Sequence, residues 1–219
     1  MFVLALFFIT SSALGKLLDS RLPKEQTAAK GNRRDWGQVL ANGGWPASAG
    51  IFYILTSDPA WIVAFTAGFA GAASDTWASE FGRLSRSRPI DILRFERVKQ
   101  GRSGAVSAAG TGGALAGTAV VSIGAWLFSG ITGEEIDMFL FILAGAAGFC
   151  GQVIDTLAGG TVQSLYQCRV CKVKTEREFH CGCPVRHVRG FRWLDNDAVN
   201  HLCTLSSVLL GYGAAVMLM

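Results

Sequence analysis

The chain has 219 residues, half of them hydrophobic, with 27 glycines and a mean hydropathy of +0.35. That is too apolar for a soluble domain and too glycine-rich for a core packed in water. The formal net charge of +4 says little about a soluble acidic partner, because the basic residues read first as topology signals; no nucleic-acid partner is expected.

Apolar runs of about 20 residues recur, the length a helix needs to cross ~30 Å of hydrocarbon. They predict an all-α polytopic protein in the lipid bilayer, a single domain over residues 1–219. Six spans are expected, at about 1–15, 37–57, 60–82, 103–129, 136–165 and 196–219. The first run has no positive segment before it and no A-x-A-like cleavage site, so it reads as a spanning helix rather than a removed signal peptide. The connections 16–36, 83–102 and 166–195 are long; 58–59 and 130–135 are short. The result is three hairpins joined at short turns.

Charge then sets orientation. The long loops hold six, seven and seven Lys and Arg, together all twenty in the chain. The short loops and both termini hold none, and Glu134 and Glu135 lie in 130–135. The positive-inside rule places the three long loops in the cytoplasm and both termini outside. An integral protein of the cell membrane follows.

The third span contains GFAGAASDTWASEFG, from Gly68 to Gly82. The fifth contains GFCGQVIDTLAGG, from Gly148 to Gly160. The two share GF-x-G-x-x-x-D-T-x-A, a parallel repeat in which Asp75 matches Asp155. A carboxylate in a membrane is costly and marks a functional site with a partner to be named. Glu80 lies about 140° around the helix from Asp75 at ~100° per residue. It joins the same site only if that site wraps the helix end; otherwise it is a solvated interfacial acid.

Other polar groups gather toward the same side. Asn32, Arg33, Gln38 and Asn42 cluster where the second span begins, and Gln38 and Asn42 share a helix face. Lys99, Arg102 and Ser103 lead into the fourth span, where a helix start at Ser103–Gly104 would make a phosphate seat. That span also carries small residues at Gly104, Ala108, Gly112 and Ala116, with Gly113 and Gly117 beside them, which read as helix packing. Asp195 or Asn196 is a good cap for the last span, and Asp197 and Asn200 share one of its faces. Loop 166–195 holds Cys168-x2-Cys171 and His180-Cys181-Gly182-Cys183. In a reducing compartment these spacings fit a tetrahedral zinc site, with free thiols as the alternative. Cys150 and Cys203 read as small hydrophobes.

Acids, cations and a helix start on one side compose a Mg2+–polyphosphate site, since Mg2+ takes one or two carboxylates together with phosphate oxygens. On that reading Asp75 and Asp155, assisted by Glu80, hold Mg2+, while Arg33, Lys99 and Arg102 hold phosphates. The alternative is a transporter or channel in which the aspartates relay protons or cations. Parallel repeats occur in transporters too, but the outer halves of the spans lack matching polar groups.

The stretches GNRRDWGQVLANGG, SDTWASEFGRLS, GRSGAVSAAGT, GQVIDTLAGGTVQ and CRVCKVKTEREFHCGCPVRHVRGFRWLDNDAVN together resemble the integral membrane family that includes the plant and cyanobacterial phytyl-phosphate kinases. The family also holds transmembrane proteins of unassigned activity. The motifs span residues 31–203 in order. The resemblance implies a kinase that uses CTP or another nucleoside triphosphate to convert an isoprenoid alcohol monophosphate to its diphosphate. It also implies that Asp75, Glu80, Asp155, Asp195, Asp197, Asn200, Asn32, Arg33, Gln38 and Asn42 are polar site residues. Members usually carry further hydrophobic sequence before the helix with which this chain opens, which leaves two readings: a helix is missing here, or the start is misassigned. Cys183 stands where the resemblance leads one to expect threonine, which favours Cys168, Cys171, His180 and Cys181 as zinc ligands.

Overall fold

A computed structural model describes residues 1–19, 36–133 and 136–219. The described residues form six helices: α1 (Phe2–Asp19), α2 (Trp36–Thr56), α3 (Ala60–Leu84), α4 (Ala108–Thr132), α5 (Met138–Thr161) and α6 (Asn196–Leu218). They lie close to the six expected spans, and the chain is mostly helical. By length and composition α4, α5 and α6 suffice to cross a membrane, and Phe2–Leu18 is a shorter apolar helix. Leu115, Ile123, Leu127 and Ile131 line an exposed stripe on α4, and Phe139, Ile142, Val153 and Leu157 line one on α5. In water such stripes would be a liability; against lipid they are the expected outer surface.

The expectation of an all-α chain needs correction in the connecting segments. Residues 90–106 form a small antiparallel pair, β1 (Ile90–Asp91) with β2 (Ala105–Val106). Residues 165–189 hold β3 (Leu165–Gln167), β4 (Lys174–Thr175), β5 (Phe179–His180), β6 (Cys183–Pro184) and β7 (Arg186–Arg189). β3 lies between β4 and β7, and β5 pairs with β6. Backbone polar groups here have no helix to satisfy them and pair across the loop instead.

α3 is the axis of the bundle. Every other described helix packs against it. From Ala67 to Ser74 it is buried without interruption, so it has no face to give to lipid, and its side chains are small for that reason. Phe69, Ala70, Ala72 and Ala73 meet Val3 and Phe7 of α1, Val121 and Ala125 of α4, and Phe141 of α5 in the largest apolar cluster.

The small-residue ridge on α4 differs from the expected one. Gly110, Gly113 and Gly117 abut α3 backbone at Ala78, Trp77 and Ala73, whereas Gly112 faces open space. α4 also begins later than expected. Ser107 caps it by accepting from the Gly110 N–H at 3.1 Å, because Gly104 has φ +78° and cannot start a right-handed helix. α5 ends at Thr161, earlier than expected, and the chain turns there into β3.

A tight approach joins α3, α5 and α6. A Cβ on Gly71 would sit 2.2 Å from the Ser207 Oγ, and one on Gly151 2.0 Å from the same atom and 2.6 Å from the Cys203 carbonyl. These glycines occupy matching positions in the repeat, so the two copies close on α6 at one serine. Gly151→Ala should therefore cost about 1–3 kcal/mol through forced separation of α5 and α6. Gly112→Ala should cost nothing. Unfolding of the detergent-solubilised variants by denaturant measures both.

Candidate functional site

Beyond that contact, toward the end of the bundle where α3 stops, lies the aspartate pair. Asp75 and Asp155 are near enough to repel each other, and Glu176 adds a third negative charge acting on Asp155. One carboxylate oxygen of Asp155, Oδ2, is buried without a hydrogen-bond partner. Cys203, one turn of α6 before Ser207, is buried beside both aspartates and points its Sγ at the Gly71 carbonyl, 3.7 Å away. It is thus part of the site wall, a placement that its reading as a small hydrophobe did not anticipate.

Glu176 was also not anticipated. In sequence it is one acid among the charges of KTEREF. It comes near Asp155 because β4, immediately before it, pairs Thr175 with Tyr166 of β3. Its carboxylate accepts a hydrogen bond from the Ser103 hydroxyl. Ser103 therefore meets the acid cluster and does not begin a helix. The backbone approach beneath it is close: a Cβ on Gly104 would lie 2.1 Å from the Cα of Gly160. Arg189 of β7 donates through Nη2 to the Gly159 carbonyl at 2.7 Å, fixing the β-module to the end of α5.

A cavity of about 410 Å3 opens between segments 98–102 and 171–176, lined by Lys99, Arg102, Lys172, Lys174 and Glu176 among others. Four cations and one carboxylate make its wall net basic, and Glu176 both borders the cavity and acts on Asp155. Arg102 is partly committed elsewhere. Its Nη2 lies 3.1 Å from Oδ2 of the buried Asp91. Burial opposes ionisation of Asp91, but hydrogen bonds from the Leu93 and Arg94 N–H groups, with the charge of Arg102, hold its carboxyl below the usual range.

The remaining expected residues among those described lie on α2, on α3 and at the start of α6. Glu80 pairs with Arg83 at 3.1 Å and lies beside Gly15 of α1, on another side of α3 from α5. Asp195 caps α6 by accepting from the Ala198 N–H at 3.0 Å. Asp197 is half-buried on the first turn of α6, and Asn200 is buried one turn on. Thr204 ties that part of α6 to α2 through the Ala41 carbonyl at 2.7 Å. Gln38 and Asn42 are half-buried on α2 nearby in the chain, and Pro46 removes the helical donor for the carbonyl of residue 42. Asn32 and Arg33 lie outside the described residues.

The Cys/His loop is a separate cluster. One donor atom each from Cys168, Cys171, His180 and Cys181 falls within 4.8 Å of all the others. Hydrogen bonding from the Cys171 N–H is the main influence that lowers the Cys168 thiol to about 6, assisted by Val170 and against burial.

The model of a family described as "Integral membrane protein DUF92" matches residues 1–208. Protein PGR of Arabidopsis thaliana is 30% identical over 237 residues, covering 98% of this chain and 81% of that protein. An uncharacterized membrane protein of Methanocaldococcus jannaschii is 33% identical over 156 residues, covering 70% of this chain and 60% of its own length. No solved structure matches the chain.

The Asp91–Arg102 pair makes a pH-dependent prediction. The folded pKa of Asp91 lies below its unfolded value of 3.8. Its contribution is thus complete above that pH and is lost as pH falls through the folded value. Amide protection factors in residues 90–106, corrected for the intrinsic pH dependence of exchange, should fall below about pH 4. Asp91→Asn should show fast exchange already at neutral pH, at a cost of about 1–3 kcal/mol, and a flatter acid response.

Proposed function

From the premise that this chain belongs to the integral membrane protein family DUF92, we propose that it is a prenyl-phosphate kinase. It transfers the terminal phosphoryl group of CTP or another nucleoside triphosphate to an isoprenoid alcohol monophosphate. The observation that carries this reading is the meeting of Asp75, Asp155 and Glu176 beside a basic cavity at one end of a lipid-facing bundle. The name of the Arabidopsis relative states no activity, so the reaction rests on the family resemblance together with that geometry.

The donor set fits Mg2+. Like charges in a partly dry site repel strongly and call for a cation. The unpartnered Asp155 Oδ2 is a vacant ligand of the hard oxygen type that Mg2+ prefers. Asp75 and Asp155, with Glu176, would hold the ion, which when bound offsets the charge that develops on the transferring phosphoryl group. Lys99, Lys172 and Lys174 attract the polyphosphate and orient it across the cavity. Ser103 holds Glu176 in place. The acceptor phosphate supplies its own nucleophilic oxygen, so a strong general base is not required. Its prenyl chain stays in lipid between the helices.

In this reading all six helices cross the bilayer, the site faces the cytoplasm and both termini lie outside. The distribution of Lys and Arg supports that orientation. Glu80 takes no part, because it is engaged with Arg83 and lies toward α1.

The test is direct. Purified protein is incubated with Mg2+, each nucleoside triphosphate, and phytyl, farnesyl or geranylgeranyl monophosphate. Diphosphate should appear with at least one pair. Its absence from every pair, with proton-coupled uptake by reconstituted liposomes, would replace the kinase with a transporter. Asp155→Asn should reduce kcat by at least about 10²–10³-fold in a folded protein. Glu80→Gln should leave turnover near wild type. Lys174→Ala should raise KM for the nucleotide more than it lowers kcat.

A further inference from the structure

The proposed reaction makes no use of the thiols in the β-module. Four features of that module point to a ligand. First, the donors are already assembled. His180 Nδ1 lies 3.4 Å from Cys171 Sγ and 3.2 Å from Cys181 Sγ. A tetrahedral centre with Zn–S near 2.3 Å and Zn–N near 2.0–2.1 Å has N···S edges of about 3.5 Å. The observed separations are therefore close to those of a coordination polyhedron. All four donor atoms lie within 4.8 Å of one another.

Second, the backbone is bent to assemble them. Adjacent residues of an extended strand point to opposite faces, so His180 and Cys181 would ordinarily diverge. Cys181 instead has φ +52°, followed by Gly182 at +73°, and this left-handed turn brings both side chains to one point. The first pair is made the same way. Lys172, directly after Cys171, has φ +60°, and its N–H bonds to the Cys168 carbonyl at 3.1 Å. Left-handed non-glycine residues persist where the surroundings over-determine them. Two such turns facing each other form a pair of knuckles.

Third, the module buries little apolar surface beyond Leu165, Tyr166 and Cys168. Its strands are two to four residues long, and Val170, Phe179 and Phe191 are exposed. Small units of this kind need a staple. Fourth, Cys183 is excluded from the cluster. Its Sγ bonds to the His180 carbonyl at 3.3 Å, as the Cys168 Sγ does at 3.8 Å, but the four mutually close donor atoms do not include it.

We propose that Cys168, Cys171, His180 and Cys181 bind a structural zinc ion that clips the two knuckles of the β-module together. Three sulfurs and one imidazole in a closed tetrahedral set select zinc over Mg2+ or Ca2+. On binding, the three thiols give up their protons to solvent and His180 coordinates through Nδ1 as the neutral imidazole. The resulting centre carries one net negative charge, offset by Arg169 and Lys172, each adjacent in sequence to a ligand. No open position remains for substrate. The clip also steadies Lys172, Lys174 and Glu176, which follow Cys171 directly in the chain.

The full chain, purified in detergent under reducing conditions, should contain one equivalent of zinc by elemental mass spectrometry. Replacement by Co2+ should give the strong visible bands of a tetrahedral centre and sulfur-to-metal charge transfer. Cys168→Ser and Cys171→Ser should each lose most of the metal, while Cys183→Ser and Cys150→Ser keep it. Should the ligand variants fail to fold, the wild type carries the test alone: chelator treatment should release zinc and open Cys171 and Cys181 to alkylation. Wild-type protein without stoichiometric metal and with freely reactive thiols would overturn the proposal. So would a disulfide within the cluster, or zinc lost from Cys183→Ser and retained by Cys171→Ser. None of these readouts depends on kinase activity, so the two proposals stand or fall separately.

Discussion

The close approach of α3, α5 and α6 at Ser207 is the constraint on which the rest depends. Two glycines at matching repeat positions, Gly71 and Gly151, flank that one side chain, and Gly148 sits against Ala70 and Gly71. With no Cβ between them the helix axes come close enough that residues beyond the contact must face each other. Asp75 and Asp155 are those residues. A wider spacing would let each aspartate find lipid headgroups or water alone, and the pair would not exist. The contact uses dispersion and backbone proximity, which are the forces left to helices already surrounded by hydrocarbon.

Bringing two carboxylates together in a partly dry place is unfavourable by itself. The fold adds a third, Glu176, and does so by elaborate means: β4 must pair with β3, Arg189 must reach the end of α5, and Gly104 must let the backbone pass Gly160. The Ser103 hydroxyl and the Arg189 charge offset part of the cost at Glu176. A chain that assembles like charges from three separate segments gains only if something positive completes them. Under the proposed function the acid cluster and the neighbouring lysines would be two parts of one metal–phosphate site, one for the cation and the other for the anion. Glu176 joins them, since it borders the cavity and acts on Asp155.

The connecting segments also change in meaning. Their basic residues read from the sequence as topology signals, yet Arg102 holds Asp91 and Arg189 holds Gly159. A charge that orients a helix across a membrane still has a side chain, and the structure places several of them in defined contacts. The same segments supply the cysteine knuckles, so the bundle and the β-module are separate in kind but joined at the ends of α5 and α6.

Local periodicity and composition determined where the helices run, because a 20-residue apolar stretch has few other ways to satisfy its backbone in lipid. The repeat was legible as well: GF-x-G-x-x-x-D-T-x-A sets glycine and aspartate one turn apart in both copies, and that spacing alone places the acid just past a packing contact. Tertiary structure decided what each polar residue faces. Asp75 and Glu80 are neighbours in the same motif, yet one turns to α5 and the other to Arg83 and α1, since a helix sends residues five apart to different sides. Glu176 and Cys203 carried no local signal; their roles come from a strand pairing and a helix crossing between segments far apart in the chain. Ser103 was assigned to a helix start on composition, and the left-handed Gly104 beside it moved that start to Ala108. Sequence pattern records the choices made within one helix, and contacts between distant segments are settled only when the chain folds.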